Sequence, residues 1–141
     1  MDKISLLLVE DNEDDSFLTT RIIKKLPFAV DVEICKNGND AFKRIMSQSL
    51  ELPELILLDL QLPKMGGIDL LTKIRATYSD KELPVIILSS SDNPGDISLC
   101  RNLGISGYLS KPPDLQALLI RLQSYVANQS TDNGQKKAPE F

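Results

Sequence analysis

Histidine is missing from the 141 residues of this sequence, and its absence excludes more chemistry than any other feature of the composition. Without it the chain cannot perform Ser-His-Asp or Cys-His catalysis, bind zinc through imidazole, or carry a phosphoryl group on an imidazole nitrogen. The polar chemistry that remains uses carboxylates, hydroxyls, lysines and the backbone.

Long apolar runs, basic blocks and cysteine frameworks are lacking as well. No apolar stretch approaches the roughly 20 residues that span a bilayer, and the N-terminus has no signal-peptide pattern. The net charge is −4 and no basic block occurs, which argues against nucleic acid as a partner. Cys35 and Cys100 show neither metal-binding spacing nor a disulfide pattern. We therefore expect a cytoplasmic protein that binds neither membranes nor nucleic acid.

Short apolar runs alternate with amphipathic segments along most of the chain. Strands are predicted at 4–9, 29–35, 55–59, 85–88 and 107–110. Helices are predicted up to about residue 26 and at 38–48, 68–78, 94–103 and 115–126. Five strand–helix units with short connections require a parallel sheet covered on both faces, because each crossover is right-handed. The predicted fold class is α/β, a doubly wound five-stranded parallel sheet over residues 1–127, with a disordered polar tail at 128–141.

Helical spacing of the apolar residues also predicts which helix faces are buried. In the first helix, Leu18, Ile22 and Leu26 lie on one face. In the last helix the apolar face carries Leu115, Leu118, Leu119, Leu122 and Val126. We expect both faces to pack against the sheet.

Polar residues follow four of the predicted strands. Glu10 and Asp11 follow the first strand, and Asp59 closes the third, whose unbroken apolar run predicts burial on both faces. Ser89 ends the fourth strand, and Lys111 follows the fifth. Because the carboxyl ends of parallel strands share one edge of the sheet, we expect these residues to gather there. Three carboxylates repel unless a cation joins them, and oxygen ligands without histidine or cysteine favour Mg²⁺.

Each of these residues also has a purely structural interpretation. Asp59 can start a turn, Ser89 can cap a helix, and Lys111 can be an ordinary surface lysine. The three acids that come next are expected only to stabilise the positive end of the first helix, by about 0.3–1 kcal/mol each. They are Glu13, Asp14 and Asp15. The coincidence of suitable residues at four strand ends favours a shared site.

With these residues in this order, the sequence resembles the receiver domains of two-component response regulators over about residues 4–127. The marks are the acidic pair Glu10-Asp11, the loop from Asp59 through Pro63 to Gly67, the hydroxyl of Ser89, Tyr108, and Lys111-Pro112. The acidic opening EDNEDD is similar to that of small stand-alone regulators related to cyanobacterial phytochrome partners. The resemblance implies a flavodoxin-like sheet of strand order 2-1-3-4-5 and a cis Lys111–Pro112 bond.

The resemblance further implies phosphorylation on Asp59 by a sensor histidine kinase or a histidine phosphotransfer protein. Mg²⁺ would be held by Asp59, by Asp11, by Glu10 through water and by the backbone carbonyl of Gln61. The new phosphate oxygens would be held by Lys111 and Ser89. Such a protein loads its own phosphoryl group but turns over no metabolite.

The resemblance also implies a switch in which the Ser89 and Tyr108 side chains move together to transmit the signal. Movement of Ser89 toward the phosphate would make room for the Tyr108 ring. That change would alter the face made by the fourth helix, the fifth strand and the fifth helix. A downstream protein or a second copy of the chain is expected to dock there, and residues 92–103 and Tyr108 are expected to change most.

Three other functions are compatible with parts of this pattern. An FMN binder shares the fold, but the acidic loop after the first strand would repel a phosphate, and the chain has no tryptophan to stack on a flavin. A Mg²⁺-dependent aspartyl phosphatase needs a general acid two residues after Asp59, where Gln61 stands. A degenerate receiver would bind partners without phosphorylation, yet the acids, hydroxyl and lysine are all present.

Overall fold

The five strands owe their positions to their apolar content. In the computed structural model, which describes residues 3–63, 65–90 and 93–124, three strands form the centre of the sheet: β1 (Ile4–Val9), β3 (Leu55–Asp59) and β4 (Val85–Ser89). Every residue of β3 and β4 is buried, as expected for strands covered on both faces. The edges are β2 (Val30–Cys35) and β5 (Gly107–Ser110). All pairings are parallel and the order is β2-β1-β3-β4-β5, which confirms the predicted fold class.

Helices connect the strands and cover the sheet on both faces. Their bounds are α1 (Glu13–Ile23), α2 (Gly38–Met46), α3 (Gly67–Thr77), α4 (Pro94–Leu103) and a fifth helix, α5, described over 115–124. Buried residues of α2, α3 and α4 join one apolar cluster, and those of α1 and α5 join the cluster on the opposite face. Asparagines cap three helices by accepting backbone N–H groups through their side chains. They are Asn12, Asn37 and Asn93.

The first helix differs from its prediction in length and in its buried face. It ends at Ile23 rather than Leu26. The next residues form a tighter turn, in which the N–H groups of Lys25 and Leu26 donate to carbonyls three residues back, and Pro27 disfavours the helical conformation at Leu26. Leu18 is 43% exposed, whereas Thr19 and Ile23, one turn apart, are buried against the sheet. The prediction that Leu18 faces the core was therefore wrong.

The last helix follows its prediction in part. Leu118 and Leu122 are buried in the same cluster as α1, but Leu115 is exposed at the start of the helix. Val126 and the predicted tail at 128–141 lie outside the described residues. No helix within 3–63, 65–90 and 93–124 is both long and apolar enough to cross a membrane.

Strand register brings the predicted site residues to one edge of the sheet. Val9 of β1 is level with Leu58 of β3, so Glu10 and Asp59 end neighbouring strands side by side. Asp59 is level with Leu88 of β4, one residue before Ser89. Parallel pairing thus collects, at one edge, residues that are far apart in the sequence.

Candidate functional site

Two buried carboxylates form the floor of the site. Glu10 is 1% exposed and Asp59 2% exposed. The backbone N–H of Glu10 donates to the carbonyl of Cys35 at 3.0 Å, which ties the end of β1 to β2. Carboxylates are rarely buried without a partner, because removing a charge from water is costly. A compensating positive charge is therefore needed at this edge.

Lys111 supplies that charge. Its Nζ donates to Glu10 Oε1 at 2.9 Å, to Asp15 Oδ2 at 2.9 Å and to Asp59 Oδ2 at 3.2 Å. Its backbone N–H donates to the carbonyl of Ser89 at 3.0 Å, which fixes the chain just beyond β5. The Lys111–Pro112 peptide bond is cis, as predicted. The lysine is a buried part of the site and not an ordinary surface residue.

Asp15 is the site residue that the sequence pattern missed. It was expected only to stabilise the start of α1, yet its carboxylate contacts Lys111 across 96 positions of sequence. Asn12 caps α1 and accepts the N–H of Asp15 at 2.9 Å, which places Asp15 in the first helical turn. Helical side chains tilt toward the N-terminus, so the carboxylate points back toward the strand ends. That position within the turn was the only available signal in the sequence. Glu13 instead forms a surface ion pair with Lys36.

Burial and the carboxylate cluster shift the pKa values of two groups. Burial raises the pKa of Glu10 to about 7, and hydrogen bonds from Lys111 and from the N–H of Asn12 offset only part of this effect. Burial alone would lower the pKa of Lys111, but its hydrogen bonds to Asp15 and Glu10 outweigh burial and hold that pKa above its ordinary value. Lys111 is therefore charged at neutral pH and acts as the counter-ion of the cluster.

The residues after Asp59 form the other wall of the site. The N–H of Gln61 donates to Asp59 Oδ1 at 3.1 Å, so both oxygens of Asp59 accept hydrogen bonds. The Gln61 side chain accepts a hydrogen bond from Ser90 Oγ at 2.8 Å, which links the loops after β3 and β4. The next helix, α3, is held against this loop by a hydrogen bond of 3.0 Å from the N–H of Gly67 to the carbonyl of Leu60.

Three carboxylates at this edge are suited to a divalent cation. Oxygens of Glu10, Asp11 and Asp59 lie within 4.8 Å of one another, with Asp11 exposed and the other two buried. Carboxylate oxygens are the ligands that Mg²⁺, Ca²⁺ and Mn²⁺ prefer. An exposed ligand beside two buried ones leaves one side open to water, which suits a cation that keeps part of its hydration shell.

The two predicted switch residues lie on the neighbouring strands β4 and β5. Ser89 is buried at the end of β4, and it is level with Ser110 of β5. Tyr108 is half-buried, level with Ile87, and packs against the apolar cluster beneath α3 and α4. The coupling between Ser89 and Tyr108 stays a prediction.

Comparisons with known proteins point to one family. A family model described as the response regulator receiver domain matches residues 6–123. Response regulator Rcp1 of Synechocystis sp. is 33% identical over 122 residues, which cover 84% of this chain and 83% of Rcp1. Hybrid signal transduction histidine kinase M of Dictyostelium discoideum is 36% identical over 126 residues, covering 87% of this chain but only 5% of the kinase.

Solved structures agree with these sequence matches. The Mn²⁺-bound form of Rcp1 superposes with a TM-score of 0.71 at 32% identity, covering 85% of this chain and 89% of Rcp1. The phosphorylated cyanobacterial phytochrome response regulator RcpA superposes with a TM-score of 0.72 at 28% identity, covering 91% of this chain and 94% of RcpA.

Proposed function

Because the chain belongs to the response regulator receiver domain family, we propose that it accepts a phosphoryl group on Asp59. The donor is a phosphohistidine on a sensor histidine kinase or a histidine phosphotransfer protein. The observation that carries the proposal is the position of Asp59: a buried carboxylate that closes a central strand, with Glu10 and Lys111 in contact around it. The chain is also similar to a region of a hybrid histidine kinase, which supports a histidine kinase as the donor.

Asp59 is the nucleophile in this proposal. One of its carboxylate oxygens forms a bond to phosphorus while the P–N bond of the donor breaks and its electron pair leaves with the imidazole nitrogen. Lys111 already donates to Asp59 Oδ2, so its ammonium lies where a phosphoryl oxygen would develop charge. The hydroxyl of Ser89 is proposed to donate to a second phosphoryl oxygen.

The same proposal assigns Mg²⁺ to the acidic edge. Asp11 and Asp59 would bind it directly, Glu10 through water, and Gln61 through its backbone carbonyl. When bound, the cation would neutralise carboxylate charge and draw electron density from the incoming phosphoryl group. Two similar structures support a divalent cation and phosphorylation, since Rcp1 has been solved in a Mn²⁺-bound form and RcpA in a phosphorylated form.

The alternatives are less well supported by the site. A phosphatase would need a proton donor where Gln61 stands, and the Gln61 side chain is already engaged with Ser90. A degenerate receiver would have lost part of the charge cluster, yet Lys111 contacts both Glu10 and Asp59 in it. We therefore infer a self-loading receiver without metabolite turnover.

Mass spectrometry of the intact protein tests the phosphoacceptor. Incubation with Mg²⁺ and acetyl phosphate is expected to add one phosphoryl group to the wild type and none to Asp59→Asn. Asp31→Asn, an exposed acid on the edge strand β2, is the control and is expected to behave like the wild type. A full gain of mass in Asp59→Asn would show that the phosphoacceptor is another residue.

The signal is proposed to leave through α4, β5 and α5. Leu99 of α4 and Ile120 of α5 are exposed apolar residues, which favours a protein partner or a second copy on these helices. Hydrogen exchange with and without beryllofluoride is expected to change most in α4 and at Tyr108. A response confined to α2 and its neighbours would contradict this route. Of the predicted segment, residue 92 lies outside the described residues.

A further inference from the structure

Lys111 uses all of its hydrogen-bonding capacity on carboxylates. An ammonium group has three N–H donors, and in Lys111 they contact Glu10, Asp15 and Asp59. The Lys111 side chain is only 9% exposed, so water does not replace any of these partners easily. The position of the ammonium is therefore set by three acids, one just after β1, one in α1 and one at the end of β3.

The three partners differ in what happens to them when a divalent cation arrives. Glu10 and Asp59 belong to the group of carboxylates whose oxygens lie within 4.8 Å of one another. Their negative charge would be shared with the cation, and the cation itself would repel the ammonium. Asp15 is not a member of that group among the described residues. It is thus the one partner of Lys111 whose charge stays available to the lysine.

We propose that Asp15 is a positioning residue that keeps the Lys111 ammonium in the pocket when a divalent cation is bound. The inference rests on the proposed phosphoacceptor function of the same site. Asp15 is suited to the task because the first turn of a capped helix holds it in place, through the N–H···Oδ1 bond from Asp15 to Asn12. A lysine held in advance does not have to reorganise when the phosphoryl group arrives.

Removal of the charge at Asp15 should therefore slow phosphorylation, because the Lys111 ammonium is no longer held in the pocket. In Asp15→Asn, the rate of phosphorylation by acetyl phosphate at saturating Mg²⁺ is expected to fall about tenfold, the lower range for loss of a hydrogen bond to a charged group. Asp15→Glu keeps the charge and should recover part of the rate. Asp14→Asn removes a neighbouring exposed carboxylate in the same helical turn and should leave the rate unchanged.

A double-mutant cycle tests whether Asp15 acts through Lys111. Lys111→Met alone should slow phosphorylation, and adding Asp15→Asn should slow it no further. The inference would be overturned if Asp15→Asn lowered the phosphorylation rate by the same factor in the wild type and in Lys111→Met. It would also be overturned if Asp14→Asn lowered the rate as much as Asp15→Asn.

Amine labelling provides a readout that does not depend on phosphorylation. With Mg²⁺ present, N-hydroxysuccinimidyl acetate should acetylate Lys111 several-fold faster in Asp15→Asn than in the wild type or in Asp14→Asn, as measured by peptide mass spectrometry. Unchanged labelling of Lys111 would overturn the role of Asp15. Failure of the wild type to gain a phosphoryl group would instead refute the proposed function, while the labelling experiment would still decide the role of Asp15.

Discussion

Replacement of Gly67 by alanine should damage the site through backbone crowding alone. A Cβ atom at Gly67 would lie 2.5 Å from the Cα of Leu60 and 2.6 Å from the backbone oxygen of Asp59. Ordinary contacts of this kind begin at 3.4 Å, so the start of α3 and the end of β3 must separate by roughly 1 Å. Both obstacles are backbone atoms, and no side-chain rotation can relieve them.

The expected cost has a structural and a functional part. Overpacking of this kind destabilises a fold by about 1–3 kcal/mol, and here the displaced backbone includes Asp59 itself. A misplacement of about 1 Å at a reacting group can reduce a rate by roughly 100-fold. We therefore expect Gly67→Ala to lower both the free energy of unfolding and the rate of phosphorylation, and the fall in rate to persist below the unfolding transition.

The adjacent glycine is a matched control. A Cβ at Gly66 would meet nothing nearer than Asp69 Oδ2 at 4.0 Å, and the φ angle of Gly66 is −65°, which alanine adopts readily. Urea unfolding gives the stability of each variant, and mass spectrometry after acetyl phosphate treatment gives its rate. Equal behaviour of Gly66→Ala and Gly67→Ala in both assays would refute the reasoning.

Three further predictions concern the metal, a half-buried arginine and the last helix. Mg²⁺ should raise the melting temperature of the wild type by relieving carboxylate repulsion, and Asp11→Asn should lose most of that rise. Arg75 is half-buried and donates to the carbonyls of Gly104 and Leu83, both at 2.9 Å. In urea unfolding, Arg75→Met should therefore lower the free energy of unfolding by about 1.5–3 kcal/mol, whereas the exposed Arg101→Met should change it little. Leu118→Ala should cost about 2–5 kcal/mol, measured by urea unfolding, if α5 is an integral part of the core.

The sequence by itself determined the fold class and most of the candidate site. The apolar runs before Glu10, at 55–59 and at 85–88 were predicted to be strands, the one that closes on Asp59 to be buried on both faces, and strand–helix alternation required them to be parallel. Once the strands are parallel, their carboxyl ends must meet, so the proximity of Glu10 and Asp59 followed from topology without any knowledge of side-chain packing.

Helix faces were predicted less well, because helical spacing alone leaves the rotation of a short helix open. In α1 both Leu18 and Ile23 are apolar, and packing against the sheet decided that Ile23 is buried while Leu18 faces solvent. In α5 the same effect left Leu115 exposed while Leu118 became buried.

The contact between Asp15 and Lys111 was decided only by the tertiary structure. Three adjacent acids at the start of a helix are equivalent in sequence, since all of them favour the positive end of the helix dipole. They become different when α1 packs on the sheet, because only then does one side of the first turn face the end of β5. Asp15 contacts the buried ammonium while Glu13 pairs with Lys36 at the surface, and the orientation of α1 selects between these two environments.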